Sequence, residues 1–328
     1  MRWLICSIDT MANTKSAMRT QLSTSNIDII VSSLAKLGAT HVAISCPFDL
    51  YSSYTEPKPT VGYMQSWISS IRNHGMGVFF RNTWLNFEGL YGSPKYTPNS
   101  SPSITTGIAA TVLNGTDTTS YLAKTYLFIK NNPSLFLSGD VWAPMTEPEN
   151  QGVGADLSVN MFPDYTTLGQ WLVDIKTVSD SAFSSIGVTD VITGMTSVNG
   201  GTVFNNSITY TYWSQIGKCV IDHYVSPDLY SSQLDTIYTN AGVDIYIGEW
   251  GTTAGSGGSV NDGFRSDKIN KVLEVFNSKS YIKGVNYWQS VDSITSRENI
   301  LDSSSFLTLQ SSRIVQKYFQ EIPRVLVN

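Results

Sequence analysis

The chain has 328 residues, 41% of them hydrophobic and 14% charged, with a formal net charge of -5. That length suits one α/β barrel of roughly 250 residues with loop insertions, and an acidic balance without a Lys/Arg run argues against nucleic acid as a partner. No stretch approaches the ~18 to 20 uninterrupted apolar residues of a membrane span, so no membrane partner is expected either.

Short β-rich runs alternate with amphipathic segments along the chain. WLICSI ends at Ile8 as the first strand, and Ile27, Ile30, Val31, Leu34 and Leu37 then keep a helical stripe that Gly38 stops. HVAIS from His41 is the second strand, followed by a helix carrying Met64, Trp67, Ile68 and Ile71 to Gly75. GVFFR from Gly77 is the third, and a helix over Tyr121 to Lys130 leads through Pro133 to a fourth strand running toward Trp142. Leu168, Trp171, Leu172, Ile175 and Val178 stripe the next helix, VITGM from Val191 is read as strand five, and CVIDHY ending at Tyr224 as strand six. Ser226 and Pro227 read as an N-cap and first helical residue, with Leu234, Ile237 and Tyr238 as the buried face before Gly242. DIYIG is strand seven, Ile269, Val272, Leu273 and Phe276 stripe its helix, GVNYW ending at Trp288 is strand eight, and a last helix runs through Ile314, Val315, Tyr318 and Phe319.

Eight strands reading as continuous apolar runs, each followed by a helix, predict a parallel sheet buried on both faces, for which a single (β/α)8 TIM barrel over residues 1–328 is the economical solution. A doubly wound sheet would want a glycine-rich phosphate turn after strand one, where the sequence is SIDTMANT, with polar Asp9 and Thr10 at the strand end. Two long connections, Asn82 to Thr116 after strand three and Gly251 to Gly263 after strand seven, leave from strand C-termini, the face where such barrels keep their sites. The first carries Trp84, Phe87, Tyr91 and Tyr96.

The three cysteines, Cys6, Cys46 and Cys219, lie in apolar runs without CxxC or Cys/His spacing and read as buried free thiols. His41 and His74 form no HExxH pattern, so neither a metal nor a cofactor is expected. A surface finished with Ser, Thr, Asn and Tyr suits a secreted or cell-surface protein, although Met1 passes almost directly into apolar Trp3–Ile8 with no signal-peptide pattern.

Two strings carry the chemistry. WAPMTEPEN holds Glu147 after strand four and IYIGEWGTT holds Glu249 after strand seven. Those strand ends face each other across one barrel mouth, and paired carboxylates held about one sugar ring apart are the machinery of glycoside hydrolysis. Glu149, two residues beyond Glu147, is the rival acid. Trp84, Trp142, Trp250 and Trp288 lie at or beyond strand ends, where flat apolar faces suit sugars, although a lone Trp there is as often core.

The strings TEP (Thr146, Glu147, Pro148) and GEWG (Gly248, Glu249, Trp250, Gly251) resemble the strand-four NEP and strand-seven glutamate of the clan A glycoside hydrolases, the superfamily that includes family five cellulases and mannanases. The resemblance spans nearly the whole chain as architecture and about a dozen residues as motif. It implies a retaining β-glycosidase acting on a poly- or oligosaccharide without cofactor, with Glu147 as acid/base and Glu249 as nucleophile. By the same resemblance Arg81 and Tyr224 attend the nucleophile and Trp288 is a sugar platform. Two departures stand out. Thr146 replaces the usual Asn that bonds the sugar 2-hydroxyl, and His223 and Tyr224 are adjacent where relatives separate them by one residue, so alternation turns only one inward, with Tyr224 favoured. Endo action is expected from the aromatic residues available to a cleft, and a monomer is favoured. The alternative is a non-catalytic carbohydrate-binding barrel from a larger surface or virion protein.

Overall fold

The computed structural model describes residues 3–10, 22–45, 61–81, 111–113, 115–118, 120–150, 153–154, 162–205, 208–252, 262–290, 299–302, 304–305 and 307–320. Trp84, Phe87, Tyr91, Tyr96, Cys46 and most of both long connections lie outside them.

Eight strands run as β1 (Ile5–Asp9), β2 (His41–Ile44), β3 (Gly77–Arg81), β4 (Val141–Ala143), β5 (Val198–Asn199), β6 (Cys219–Asp222), β7 (Ile245–Trp250) and β8 (Ile282–Tyr287). They pair in the order β4-β3-β2-β1-β8-β7-β6-β5, all parallel. The two ends of that order meet through parallel bridges at Val141↔Ile192 and Thr146↔Ser197. Across them Trp142 N donates to Ile192 O and Glu147 N to Ser197 O, each at 2.9 Å. The sheet therefore closes into a (β/α)8 barrel, as the alternation predicts.

Helices form where the stripes lie, α1 (Thr24–Lys36), α2 (Val61–Asn73), α3 (Tyr121–Asn131), α4 (Tyr165–Ser185), α7 (Pro227–Ala241), α8 (Asp262–Ser278) and α9 (Ser312–Gln320), and α5 (Gly200–Asn205) and α6 (Ile208–Ile216) form where the sequence reading placed no helix. Ser23, Ser120 and Asp164 cap α1, α3 and α4 by accepting from Asn26, Ala123 and Thr167 N–H groups. Pro227 opens α7 as expected, and Gly242 closes it at φ 66, a conformation glycine adopts without a Cβ penalty. No helix among the described residues is long and apolar enough to cross a membrane.

Strand five departs from the sequence reading. VITGM forms only the Ile192 bridge, and the strand proper lies further on at Val198–Asn199. Gly194, at φ 69, breaks the extended run between them. Cys6 and Cys219 are buried free thiols, as read.

Candidate active site

Arg81 ends β3 and is wholly buried. Its guanidinium reaches strands that are not neighbours of β3, which requires it to cross the barrel interior. Nη1 donates to Asp9 Oδ2 of β1 at 2.5 Å and to Glu249 Oε2 of β7 at 2.8 Å, while Nη2 donates to Asp222 Oδ2 of β6 at 3.1 Å. Asn286 of β8 donates from Nδ2 to Asp9 Oδ2 at 2.8 Å and to Gly248 O at 2.9 Å. Ser197 donates to Asp222 Oδ2 at 2.7 Å. Five strands and the residue before β5 thus contribute to one polar cluster at the C-terminal end of the barrel. Desolvation works against the Arg81 charge, but the three carboxyl groups outweigh it and hold the guanidinium firmly protonated.

Glu249 lies within β7 rather than beyond it, and a bulge aims it. Ile221 pairs with Ile247 but Asp222 pairs with Glu249, so Gly248 is the extra residue. A Cβ at Gly248 would stand 2.6 Å from Asp222 Oδ1 and 2.8 Å from Ser197 Cβ. Gly248→Ala is therefore expected to cost about 1 to 3 kcal/mol of stability, the scale of overpacking a filled core; thermal melting reads it, and an unchanged midpoint would contradict this close fit. Burial raises the Glu249 carboxyl above its ordinary value, and the Asp9 charge adds to that. Arg81 and the Tyr224 hydroxyl, which donates to Glu249 Oε1 at 2.5 Å, pull the other way. Of the adjacent pair after β6, Tyr224 is thus the one on the glutamate. His223 instead lies against Gly200, edge-on to Tyr230, and burial pushes its imidazole down to about 4.

Glu147 stands four residues beyond β4 with a left-handed backbone at φ 41, a conformation that costs a non-glycine residue about 1 to 2 kcal/mol. Three bonds hold it there. Its N–H donates across the closing seam to Ser197 O, its carbonyl accepts from Asn150 N at 3.0 Å, and Asn150 Nδ2 donates to Glu147 Oε2 at 2.6 Å. The charges of Glu249 and Glu147 both push the buried Asp222 carboxyl up. The rival Glu149 is buried, and its Oε1 accepts the Asn199 N–H of β5. The Thr146 hydroxyl is buried without a hydrogen-bond partner among the described residues.

Trp142 and Trp250 are corrected by the structure: both are fully buried. Trp142 packs among Phe80, Phe128, Phe136 and Phe183 and donates its indole N–H to Ser179 of α4 at 3.1 Å. Trp250 sits edge-on to Phe276 of α8 and to Tyr287. Each faces the helical layer, because neighbours along a strand point to opposite faces and Arg81 and Glu249 take the inward places. His223, also read as substrate-binding, is likewise 1% exposed. Trp288 is partly exposed, and its backbone carbonyl and the Tyr224 ring both stand close to Gly251. Trp84 lies outside the described residues.

No protein-family model matches the sequence, and no curated protein matches it in sequence. Solved structures do match in fold. A GH5_18 variant from Bifidobacterium longum subsp. longum in complex with Manβ1-4GlcNAc superposes with a TM-score of 0.67 at 14% identity, covering 98% of this chain and 78% of that one. At that identity the likeness is one of fold, a (β/α)8 barrel. A GH113 β-1,4-mannanase matches with a TM-score of 0.61 at 13% identity over 97% of this chain and 99% of its own. One of two fungal β-1,4-galactanases gives 0.59 at 13% identity over 87% and 89%.

Asp222, Asn286, Ser197 and Asn150 were not singled out from the sequence. The signal for the first two was a polar residue inside an otherwise apolar strand, CVID and GVNY, the pattern that did draw attention to Asp9.

Proposed function

We propose that this protein is a retaining β-glycoside hydrolase cleaving a poly- or oligosaccharide, with Glu249 as nucleophile and Glu147 as acid/base. The observation that carries the proposal is the holding of Glu249 between Arg81 and Tyr224, while Glu147 is held at the closing seam of the barrel by Ser197 and Asn150. A carboxylate with one oxygen on a cation and the other on a hydroxyl is fixed in orientation and favoured in its ionised form, which a nucleophile requires.

Glu249 attacks the anomeric carbon while Glu147 gives its proton to the departing glycosidic oxygen. A glycosyl ester forms on Glu249 and the aglycone leaves as an alcohol. Glu147, now ionised, takes a proton from water, whose oxygen attacks the same carbon and releases Glu249, so that two inversions give net retention. Asn150 steadies the Glu147 carboxylate, and the unpartnered Thr146 hydroxyl lies beside it in sequence, available to a sugar hydroxyl. Trp288 and Tyr224 are the rim aromatics suited to stacking on sugar, and endo cleavage rests on them and on the long connection after β3. The named β-1,4-mannanase and β-1,4-galactanase barrels favour a β-1,4-linked hexose polymer.

A panel of aryl β-glycosides and β-glycans tests the proposal. Retained anomeric configuration and internal cleavage are expected, whereas sugar binding without any hydrolysis would make the protein a non-catalytic carbohydrate-binding barrel. Glu147→Ala is expected to lower kcat/KM by about 10² to 10⁴ on substrates with poor leaving groups and far less on activated aryl glycosides, because only the former need protonation. Equal losses on both would remove the acid role from Glu147.

A further inference from the structure

The polar cluster holds more negative charge than its single cation balances. Asp9, Asp222 and Glu249 all bond Arg81, so three carboxyl groups share one guanidinium, and the charge of Glu147 also bears on Asp222. Full ionisation of such a set in a buried site is costly, and one proton retained among them relieves it. The geometry separates the candidates. Asp9 and Glu249 make the short bonds to Arg81, at 2.5 and 2.8 Å, while Asp222 makes the longest, at 3.1 Å; bonds to ionised carboxylates are the shorter ones. Asp222 is 0% exposed, and its Oδ1 has no hydrogen-bond partner among the described residues and lies close to Gly248. Its Oδ2 lies 2.7 Å from Ser197 Oγ, a distance that suits an O–H···O bond in either direction.

We propose that Asp222 is a positioning residue, held in the fold as a neutral carboxylic acid that braces Arg81 against Glu249. Ser197 Oγ and Arg81 Nη2 both donate to Oδ2, and the acid proton is on the other oxygen, Oδ1. The guanidinium is thereby oriented by three carboxyl groups but shares its charge with only two, Asp9 and Glu249. The groups facing Asp222 are Arg81 from β3, Glu249 from β7, Glu147 from the β4 end and Ser197 before β5; His223, the next residue, is turned away toward Gly200 and Tyr230. Burial, with the charges of Glu249 and Glu147, favours the same protonation state, against the pull of Arg81. The bracing role rests on the hydrolase reading; the protonation state does not.

Asparagine reproduces the neutral acid: its carbonyl oxygen, in the place of Asp222 Oδ2, accepts from Ser197 and Arg81, and its Nδ2 takes the place of the protonated oxygen. The test is to melt the unmutated protein and Asp222→Asn across pH 4 to 7. A carboxyl whose folded pKa lies above its unfolded value destabilises the fold progressively as pH rises through that interval, and asparagine does not titrate. The midpoint of Asp222→Asn relative to the unmutated protein is therefore expected to climb by several degrees from pH 4 to 7. A difference that stays constant or falls with pH overturns the neutral state. On an activated aryl β-glycoside, Asp222→Asn is expected to retain at least about tenfold more kcat/KM than Asp222→Ala; equal losses overturn the bracing role. If the unmutated protein turns over no glycoside, the hydrolase reading fails and the bracing role with it, while the melting comparison still decides the proton.

Discussion

Glu249→Ala is expected to lower kcat/KM on aryl β-glycosides by about 10⁴-fold or more, the scale on which removing a nucleophile abolishes covalent catalysis. The side chain occupies a space bounded by Arg81 and Tyr224, both of which donate to its two oxygens. Alanine leaves that space and both donors in place, so a small anion fits there. Added azide or formate is expected to restore part of the turnover with an activated substrate, and the product is a glycosyl azide or formate of inverted configuration, because only one displacement has occurred. Product configuration by nuclear magnetic resonance reads this directly. Near-full activity of the alanine variant would falsify the assignment, and a rescued product of retained configuration would point to a different nucleophile.

Arg81→Met is expected to be the most destabilising single change in the barrel mouth. Methionine keeps most of the stem volume, so the principal loss is the cation that Asp9, Asp222 and Glu249 all bond. Removing one partner of a buried ion pair costs about 3 to 5 kcal/mol, because the other charge is left uncompensated. The pH dependence has a definite sign. Glu249 and Asp222 are already raised in the fold, and loss of the cation raises them further. Groups raised in the folded state leave stability intact below the unfolded carboxyl value of about 4 and withdraw it as pH rises. The deficit of Arg81→Met is therefore expected to be small near pH 4 and to grow toward pH 7 in denaturant titrations. A deficit independent of pH would mean that packing, and not charge, carries the role of Arg81.

Much of the barrel was legible because its signals are local. Apolar runs such as DIYIG and stripes such as Ile269, Val272, Leu273 and Phe276 state their own period, and β7 and α8 formed there. The two glutamates, Arg81 and Tyr224 were legible for a related reason, being polar groups at the ends of strands whose order around a ring is fixed by chain order. What escaped was whatever depends on pairing. Trp142 faces the helices because it lies in register with Phe80, and register is set between strands. Trp250 was readable in principle: the alternation that separates His223 from Tyr224 also turns the neighbour of an inward Glu249 outward. Strand five was misplaced because Gly194 reads equally well as a tolerated small residue or as a break. The left-handed Glu147 had no sequence signal, since it is imposed by the bonds to Ser197 and Asn150.

The two glutamates stand on parts of the ring with unlike stiffness. Glu249 belongs to a six-residue strand that pairs with β6 and β8 along its length, although each ladder shifts register beside it. Glu147 stands at the one join made of isolated bridges, held to the next strand by its own N–H. Opening a stretch of sheet costs roughly in proportion to the bonds broken, so the join yields before the ladders do. The barrel is in this sense a split collar, with an anvil on the solid side and a jaw at the gap. The separation of the two carboxylates, on which a displacement with its covalent ester depends, is set by how tightly the collar is drawn at Thr146 and Ser197.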